Sequence, residues 1–271
     1  MKNQQFKRGQ ILLILVLLLA TTITIVLTTS LSSIGNTQTT KLEEESQKAL
    51  SVAEAGIDKA LAENAKNGNT SADIHQIASD FTGSANVTES NNKQTFTTQV
   101  LQKDEEYTFY LASYNRQTNT IGNGGYAGTI TVYYETGATS CFDGALELTL
   151  IYDPTGTGAY KAKRFIADAG SLYGASTSDN IGETGGSTID SIPFNCHATA
   201  IPIVTFANPK LLIVKALVKS TPVSFSGDST LPVQGKTVSS IASSPQTGVT
   251  KQVELFQSYP QIPSDFFTTS F

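Results

Sequence analysis

The stretch KLEEESQKALSVAEAGIDKALAENAKNG, residues 41–68, decides the architecture of the chain. Leu50, Ala53, Ile57, Ala60 and Leu61 recur in it at i, i+3, i+4 spacing, while Glu43, Lys48, Asp58, Lys59 and Glu63 fall largely elsewhere. Residues three and four apart share one face of a helix, so the pattern predicts an amphipathic helix with an apolar stripe to bury. Asn67-Gly68 supplies a stop, because glycine accepts the left-handed conformation that often follows a helix end. The acidic run Glu43 to Glu45 reads most simply as the solvated start of the helix face, with contact to a basic neighbour as the alternative.

Toward the N-terminus, Ile11 to Leu27 holds only aliphatic residues, Ala and Thr, and no charge occurs from Ile11 until Lys41. At about 1.5 Å per residue, roughly 20 helical residues cross the roughly 30 Å hydrocarbon layer, and the span is placed at residues 11–34. Thr21, Thr22, Thr24, Thr28 and Thr29 are tolerable there because their hydroxyls can return to carbonyls one turn back. Lys2, Lys7 and Arg8 precede the span and Glu43 to Glu45 follow it. The positive-inside rule therefore puts the short N-terminus in the cytoplasm and the rest of the chain outside. A cleaved secretory signal would show small residues at a prompt A-x-A site, and none follows. The apolar segment grades instead into the amphipathic one, giving one helix over about residues 10–66, on the order of 80 Å long.

A basic leader ending in Lys7, Arg8 and Gly9, ahead of a helix that is apolar first and amphipathic second, resembles a type IV prepilin. ALSVAEAGIDKAL (Ala49 to Leu61) is similar to the A-x-x-AEAG-x-x-x-A region of PilX-type minor pilins, with Ala53, Glu54, Ala55 and Gly56 as its core. The resemblance covers roughly the first quarter of the chain. It implies a leader over residues 1–9, cut by a prepilin peptidase between Gly9 and Gln10, and a mature helix that packs with other pilin or pseudopilin subunits. Two positions depart from the family pattern. The fifth mature residue, usually glutamate, is Ile14, and Gln10 stands where Phe or Met is commoner. A carboxylate inside the membrane is costly unless paired, so its loss is a functional statement, and a subunit without it resembles the minor pseudopilins of a filament tip. An uncleaved single-span anchor explains the apolar run but not the glycine border together with AEAG.

The remainder, residues 67–271, reads as an extracytoplasmic β-rich domain. Residues 95–101, 107–114, 128–135, 145–152, 160–167, 200–206 and 210–218 are β-branched or aromatic runs separated by Gly, Asn, Asp and Pro. Their connections are too short for crossover helices, so the expected class is α+β, with an antiparallel sheet on the amphipathic half of the helix. SADIHQIASDF, residues 71–81, is expected to form a short second helix. After about Ser220 the composition turns to Ser, Thr, Pro and Gly, and VELFQSY, residues 253–259, is the last expected strand.

Chemistry is sparse. A net charge of −5 without a basic stripe disfavours nucleic acid. IGNGGYAG, residues 121–128, has G-x-G-x-x-x-G spacing and precedes a strand, so a hairpin turn is expected rather than a phosphate loop. DPTGTG, residues 153–158, offers one carboxylate, Asp153, and hard cations need six or more oxygens, so a plain turn is expected. His75 and His197 define no base with an evident nucleophile, and Cys196-His197 makes a poor dyad because adjacent strand residues point to opposite faces. Cys141 and Cys196 are either a disulfide or two buried thiols; an exported location and an even count favour the bond, with Cys196 in a loop after Pro193.

The expected protein is thus a minor structural subunit of a type IV pilus or type II secretion-like pseudopilus. It is a single-pass membrane protein with its C-terminal domain outside, reaching the cell surface or pilus on assembly. No catalytic residue, metal or cofactor is assigned and no enzymatic activity is expected. The alternative is a single-span membrane-anchored surface binding or adhesion protein.

Overall fold

The computed structural model describes residues 5–67, 70–89, 93–116, 118–137, 141, 143–173 and 180–261. Residues 1–4 of the expected leader and the Gly68 stop lie outside these. One α-helix runs from Gln5 to Asn67, 63 residues and about 95 Å long, so the apolar and amphipathic segments form one element. Within it the threonine hydroxyls turn back to carbonyls three or four residues earlier. Thr21 donates to Leu18 O at 2.8 Å, Thr22 to Leu19 O at 2.9 Å and Thr28 to Thr24 O at 2.7 Å. The habit continues past the apolar segment, with Thr37, Thr39 and Thr40 bonding to the carbonyls of Ser33, Gly35 and Asn36.

Among the described residues eighteen strands follow. They begin with β1 (Ser71–Asp73), β2 (Thr82–Glu89), β3 (Thr95–Thr97), β4 (Glu106–Tyr110), β5 (Tyr114–Asn115) and β6 (Thr120–Ile121). The middle group is β7 (Thr129–Tyr134), β8 (Leu146–Tyr152), β9 (Lys161–Ala167), β10 (Gly182–Thr184), β11 (Thr188–Ile189) and β12 (Ile192–Pro193). The last are β13 (Cys196–Ala198), β14 (Ile201–Pro202), β15 (Pro209–Ala216), β16 (Ser224–Gly227), β17 (Gly235–Ser243) and β18 (Thr250–Ser258). The fold is α+β, a long N-terminal apolar helix with antiparallel sheets.

The described residues fall into two compact units. In the first, the helix lies on a four-stranded sheet of order β1-β2-β17-β18. Ala49, Ala53, Ile57 and Ala60 are buried there against Ala72, Ile74, Ala85, Val238 and Ala242. The second unit, Thr88–Thr237 with the described residues from Phe256 onward, holds a six-stranded sheet, β10-β13-β7-β16-β3 with β14 on β7, and a four-stranded sheet, β4-β15-β8-β9. Between them lies a core of Ile130, Val132 and Tyr134 from β7, Leu146, Leu148 and Leu150 from β8, and Leu212 and Val214 from β15. Phe109 of β4 stacks on Phe225 of β16 with centroids 4.1 Å apart.

Several expected elements are corrected. Residues 71–81 form no second helix: Ala72 and Ile74 are buried with Asp73 exposed between them, a period of two, so the segment opens as β1. A single 3-10 turn, Ile74–Gln76, follows, with the Asp73 carboxylate accepting from His75 N at 2.9 Å. The expected strand at 200–206 stops at Pro202, which has no N–H to donate, and becomes a 3-10 turn, Ile203–Thr205. The run at 95–101 is a strand only to Thr97, and that at 107–114 breaks after Tyr110. The Ser/Thr-rich region after Ser220 contains β16 and β17, because Val238, Ser240 and Ala242 alternate inward on β17 with residues too small to register as an apolar pattern. Residues 121–128 form no hairpin turn. β6 pairs back on β5 while β7 pairs with β13, β14 and β16, so IGNGGYAG passes between sheets, with Tyr126 buried and its N donating to Leu111 O at 2.6 Å.

Candidate functional site

The residues singled out in the sequence lie on two structural features, the helix and the disulfide-bearing sheet. Lys7, Arg8, Gly9 and Gln10 are on the helical backbone, inside Gln5–Asn67. Ile14 lies a turn further on and is 59 % exposed, in company with every large apolar residue from Leu12 to Leu31. One helix among the described residues is long and apolar enough to cross a membrane, and its apolar window has no protein packed on it. Burying such a surface is worth roughly 25 cal/mol per Å², which is consistent with association with a membrane.

The AEAG segment has a packing explanation. Ala53 and Gly56 face the sheet and are buried, Glu54 faces outward and Ala55 lies at the margin. A Cβ on Gly56 would stand 2.5 Å from Ile74 Cδ1 and closer still to Ser240 Oγ. The small residues at 49, 53, 56 and 60 therefore let the helix approach the sheet at side-chain-free distance. At the start of the same helical half, Lys48 bridges Glu44 at 2.9 Å and Glu45 at 3.6 Å, and Glu45 accepts from Ser244 Oγ at 3.1 Å. Glu44 and Lys48 are both more than half exposed, so this pairing contributes little to stability.

Cys141 and Cys196 form a disulfide, with Cα atoms 5.3 Å apart and both residues buried. Cys196 lies on β13 directly opposite Tyr134 of β7, rather than in the loop expected after Pro193. The bond therefore pins the chain that leaves β7 back onto the neighbouring strand. It also removes the thiol from any Cys196-His197 dyad. His197 faces the other way, with Nδ1 2.7 Å from Gly185 O and Nε2 3.2 Å from Glu183 Oε2. His75 Nδ1 lies 3.4 Å from Phe81 O, on the other unit.

Asp153 is a buried turn-former. Its carboxylate accepts from the backbone N–H of Gly158 at 2.8 Å, Gly156 at 2.9 Å and Thr155 at 3.3 Å. Burial works against its charge, but these N–H groups and the Thr155 hydroxyl outweigh burial and hold the carboxyl below its ordinary range. A ring of donors is complementary to an anion, which is why the oxygens serve the turn. Asp228 is similar, held low by the N–H of Thr129 and the hydroxyls of Tyr126 and Thr129.

Buried polar groups in the second unit escaped sequence reasoning. Glu135 is fully buried and ion-paired with Lys219, and its backbone N–H donates to the side chain of Thr221, to Oγ1 at 2.9 Å. Lys210, at the head of the apolar β15, is buried and donates to Gly122 O at 2.8 Å. Gln234 acts as a substitute strand, accepting from Tyr110 N and donating to Tyr110 O, each at 2.8 Å. Tyr134 is pushed up to about 12, by burial first and by the Asp168 and Glu135 charges, with the Ala169 N–H pulling the other way. The signals that could have found these were single charges beside apolar runs, which ordinary surface strands also carry. No known protein family, characterised protein or solved structure matches the chain.

Proposed function

We propose that this chain is a minor structural subunit of a type IV pilus or of a type II secretion-like pseudopilus, anchored in the cytoplasmic membrane before assembly and carrying its β-rich part outside. The observation that carries the reading is the division of labour along one helix: the half after Lys41 buries one face on its own sheet, and the half before it is apolar and bare. A helix used this way is a shared element, folded into one subunit at one end and left to pack with lipid or with other subunits at the other. The Lys7-Arg8-Gly9 border supports cutting by a prepilin peptidase before Gln10, since cutting there keeps the whole apolar segment on the mature chain. Ile14, in place of a paired carboxylate, supports a low-copy or tip position.

Mass spectrometry of the assembled protein tests this. The mature N-terminus should be Gln10, and Gly9→Leu should retain the leader; an intact Met1 or Lys2 terminus in assembled material rules the reading out. Immunogold labelling should be sparse or terminal, whereas dense labelling along filaments contradicts a minor role. A second reading, a single-span anchored surface binding or adhesion protein, is favoured by one observation: the AEAG residues are accounted for by packing of the helix on its own sheet, without a filament.

A further inference from the structure

Beside the helix-packing face of the β1-β2-β17-β18 sheet there is an opposite, outward face, and it carries a modification signal. Asn86-Val87-Thr88 fits the N-x-[ST] acceptor pattern for N-linked glycans, in which the hydroxyl residue two places on is required and the middle residue is not proline. In the whole sequence the pattern recurs only at Asn69-Thr70-Ser71. Strand alternation settles where the first of these points. Ala85 and Val87 are buried under Ile57 and Ala60 of the helix, so Ser84, Asn86 and Thr88 all face outward and are exposed. Ser71, third residue of the second, is the direct cross-strand partner of Asn86.

The surroundings of Asn86 suit a sugar. Its outward neighbours Ser71 and Ser84 are small and exposed. The carboxamide Nδ2 makes one long hydrogen bond, 3.3 Å to Ser84 Oγ, which solvent or a substituent can replace at little cost. β1 covers β2 over only three residues and is the edge of the sheet, so the acceptor lies one short strand from open solvent.

We propose that Asn86 is an N-glycosylation site, an inference that rests on the export reading above. The sugar donor required is a lipid-diphosphate-linked oligosaccharide, and the transfer is made by a membrane transferase on the outer side. Asn86 Nδ2 attacks the anomeric carbon of the first sugar, and the C1–O bond to the diphosphate breaks. The lipid diphosphate leaves with the bonding electrons, and a transferase base takes one amide proton. No oxidation or reduction occurs. Thr88 is the recognition residue for the transferase, and the glycan then covers the hydroxyl-rich outer face.

The test uses the full chain purified from membranes of its own source cells. The tryptic peptide of residues 67–93 contains both signals, and fragmentation that keeps the glycan attached assigns it to Asn86 or Asn69. A hexosamine-bearing peptide with the mass on Asn86 is expected, lost completely in Asn86→Gln and in Thr88→Ala and kept in Thr88→Ser. Protease treatment of intact cells is run alongside. A digested β-rich portion with unmodified Asn86 overturns this proposal and leaves export standing. A protected β-rich portion with unmodified Asn86 overturns both.

Discussion

The two units of this protein solve the same packing problem with opposite materials. Under the helix the core is rich in small residues, Ala49, Ala53, Gly56, Ala60, Ala72, Ala85, Ser240 and Ala242, set among Ile57, Ile74, Phe81, Val87 and Val238. Between the two sheets of the second unit it is made of Phe109, Phe225, Tyr134 and a layer of leucines. The difference follows from geometry. Two stacked sheets sit about 10 Å apart, and only large side chains fill that gap. A helix laid directly on small residues comes close enough for backbone to touch side chain, and there any added atom is an intrusion. The second unit adds a covalent staple and buried charges, while the first relies on close approach. One core should therefore fail by losing atoms and the other by gaining them.

The largest effect should come from emptying the aromatic core. Phe109→Ala removes a ring stacked at 4.1 Å on Phe225 and should cost about 4 kcal/mol, read as a lowered urea midpoint. A loss under about 1 kcal/mol would mean that the core collapses around the gap, and the contrast with the first unit would weaken. Replacing Cys141 and Cys196 together by Ser should cost a comparable amount. The bond closes a sequence separation of 55 residues, worth about 4 kcal/mol in the chain-entropy account. Unfolding with and without reductant should differ in the wild type and coincide in the double variant.

The first unit is probed by adding atoms. Gly56→Leu should cost about 2 kcal/mol through forced repacking against Ile74 and Ser240, despite the better helix propensity of leucine. Gly56→Ala combined with Ser240→Gly should recover most of the loss seen with Gly56→Ala alone, since it returns the space the methyl group takes. If Gly56→Leu proves neutral, the small residues are not needed for close packing, and the resemblance of AEAG to pilins regains weight as a signal of filament contacts.

The smallest effect concerns the turn at Asp153, and it depends on pH. Its carboxyl is held below the ordinary range, so its stabilising contribution is complete above the usual carboxylate value of about 3.9 and is lost as pH falls through the lower folded value. Asp153→Asn keeps one acceptor oxygen but turns an NH₂ toward the N–H that the other oxygen served, that of Gly156 or of Gly158, and should cost about 1 kcal/mol at neutral pH. The same variant should flatten the drop in stability on acidification below about pH 4. An unchanged acid limb would show that other carboxylates control it.

The sequence by itself determined the helix. Its two periodicities, an unbroken apolar run and then a 3.6-residue stripe, are local properties, and each forces the same backbone whatever surrounds it. Most of the large-residue strands were legible for a similar reason, since Thr129–Tyr134, Leu146–Tyr152 and Lys161–Ala167 read as β from their own composition. The cysteine pair was legible as a choice between two states. The tertiary structure alone decided that Ser71–Asp73, Thr82–Glu89 and Gly235–Ser243 are strands. Their inward residues are Ala, Ser and Val, too small to announce a buried face until a helix is laid on them. It alone decided that Gly56 is a contact, that Cys141 and Cys196 are bonded rather than two buried thiols, and that Glu135 and Lys210 can be buried, because each depends on a partner distant in the chain. Local pattern fixes backbone conformation; the spacing between elements, which sets what must be small, paired or bonded, exists only once they have met.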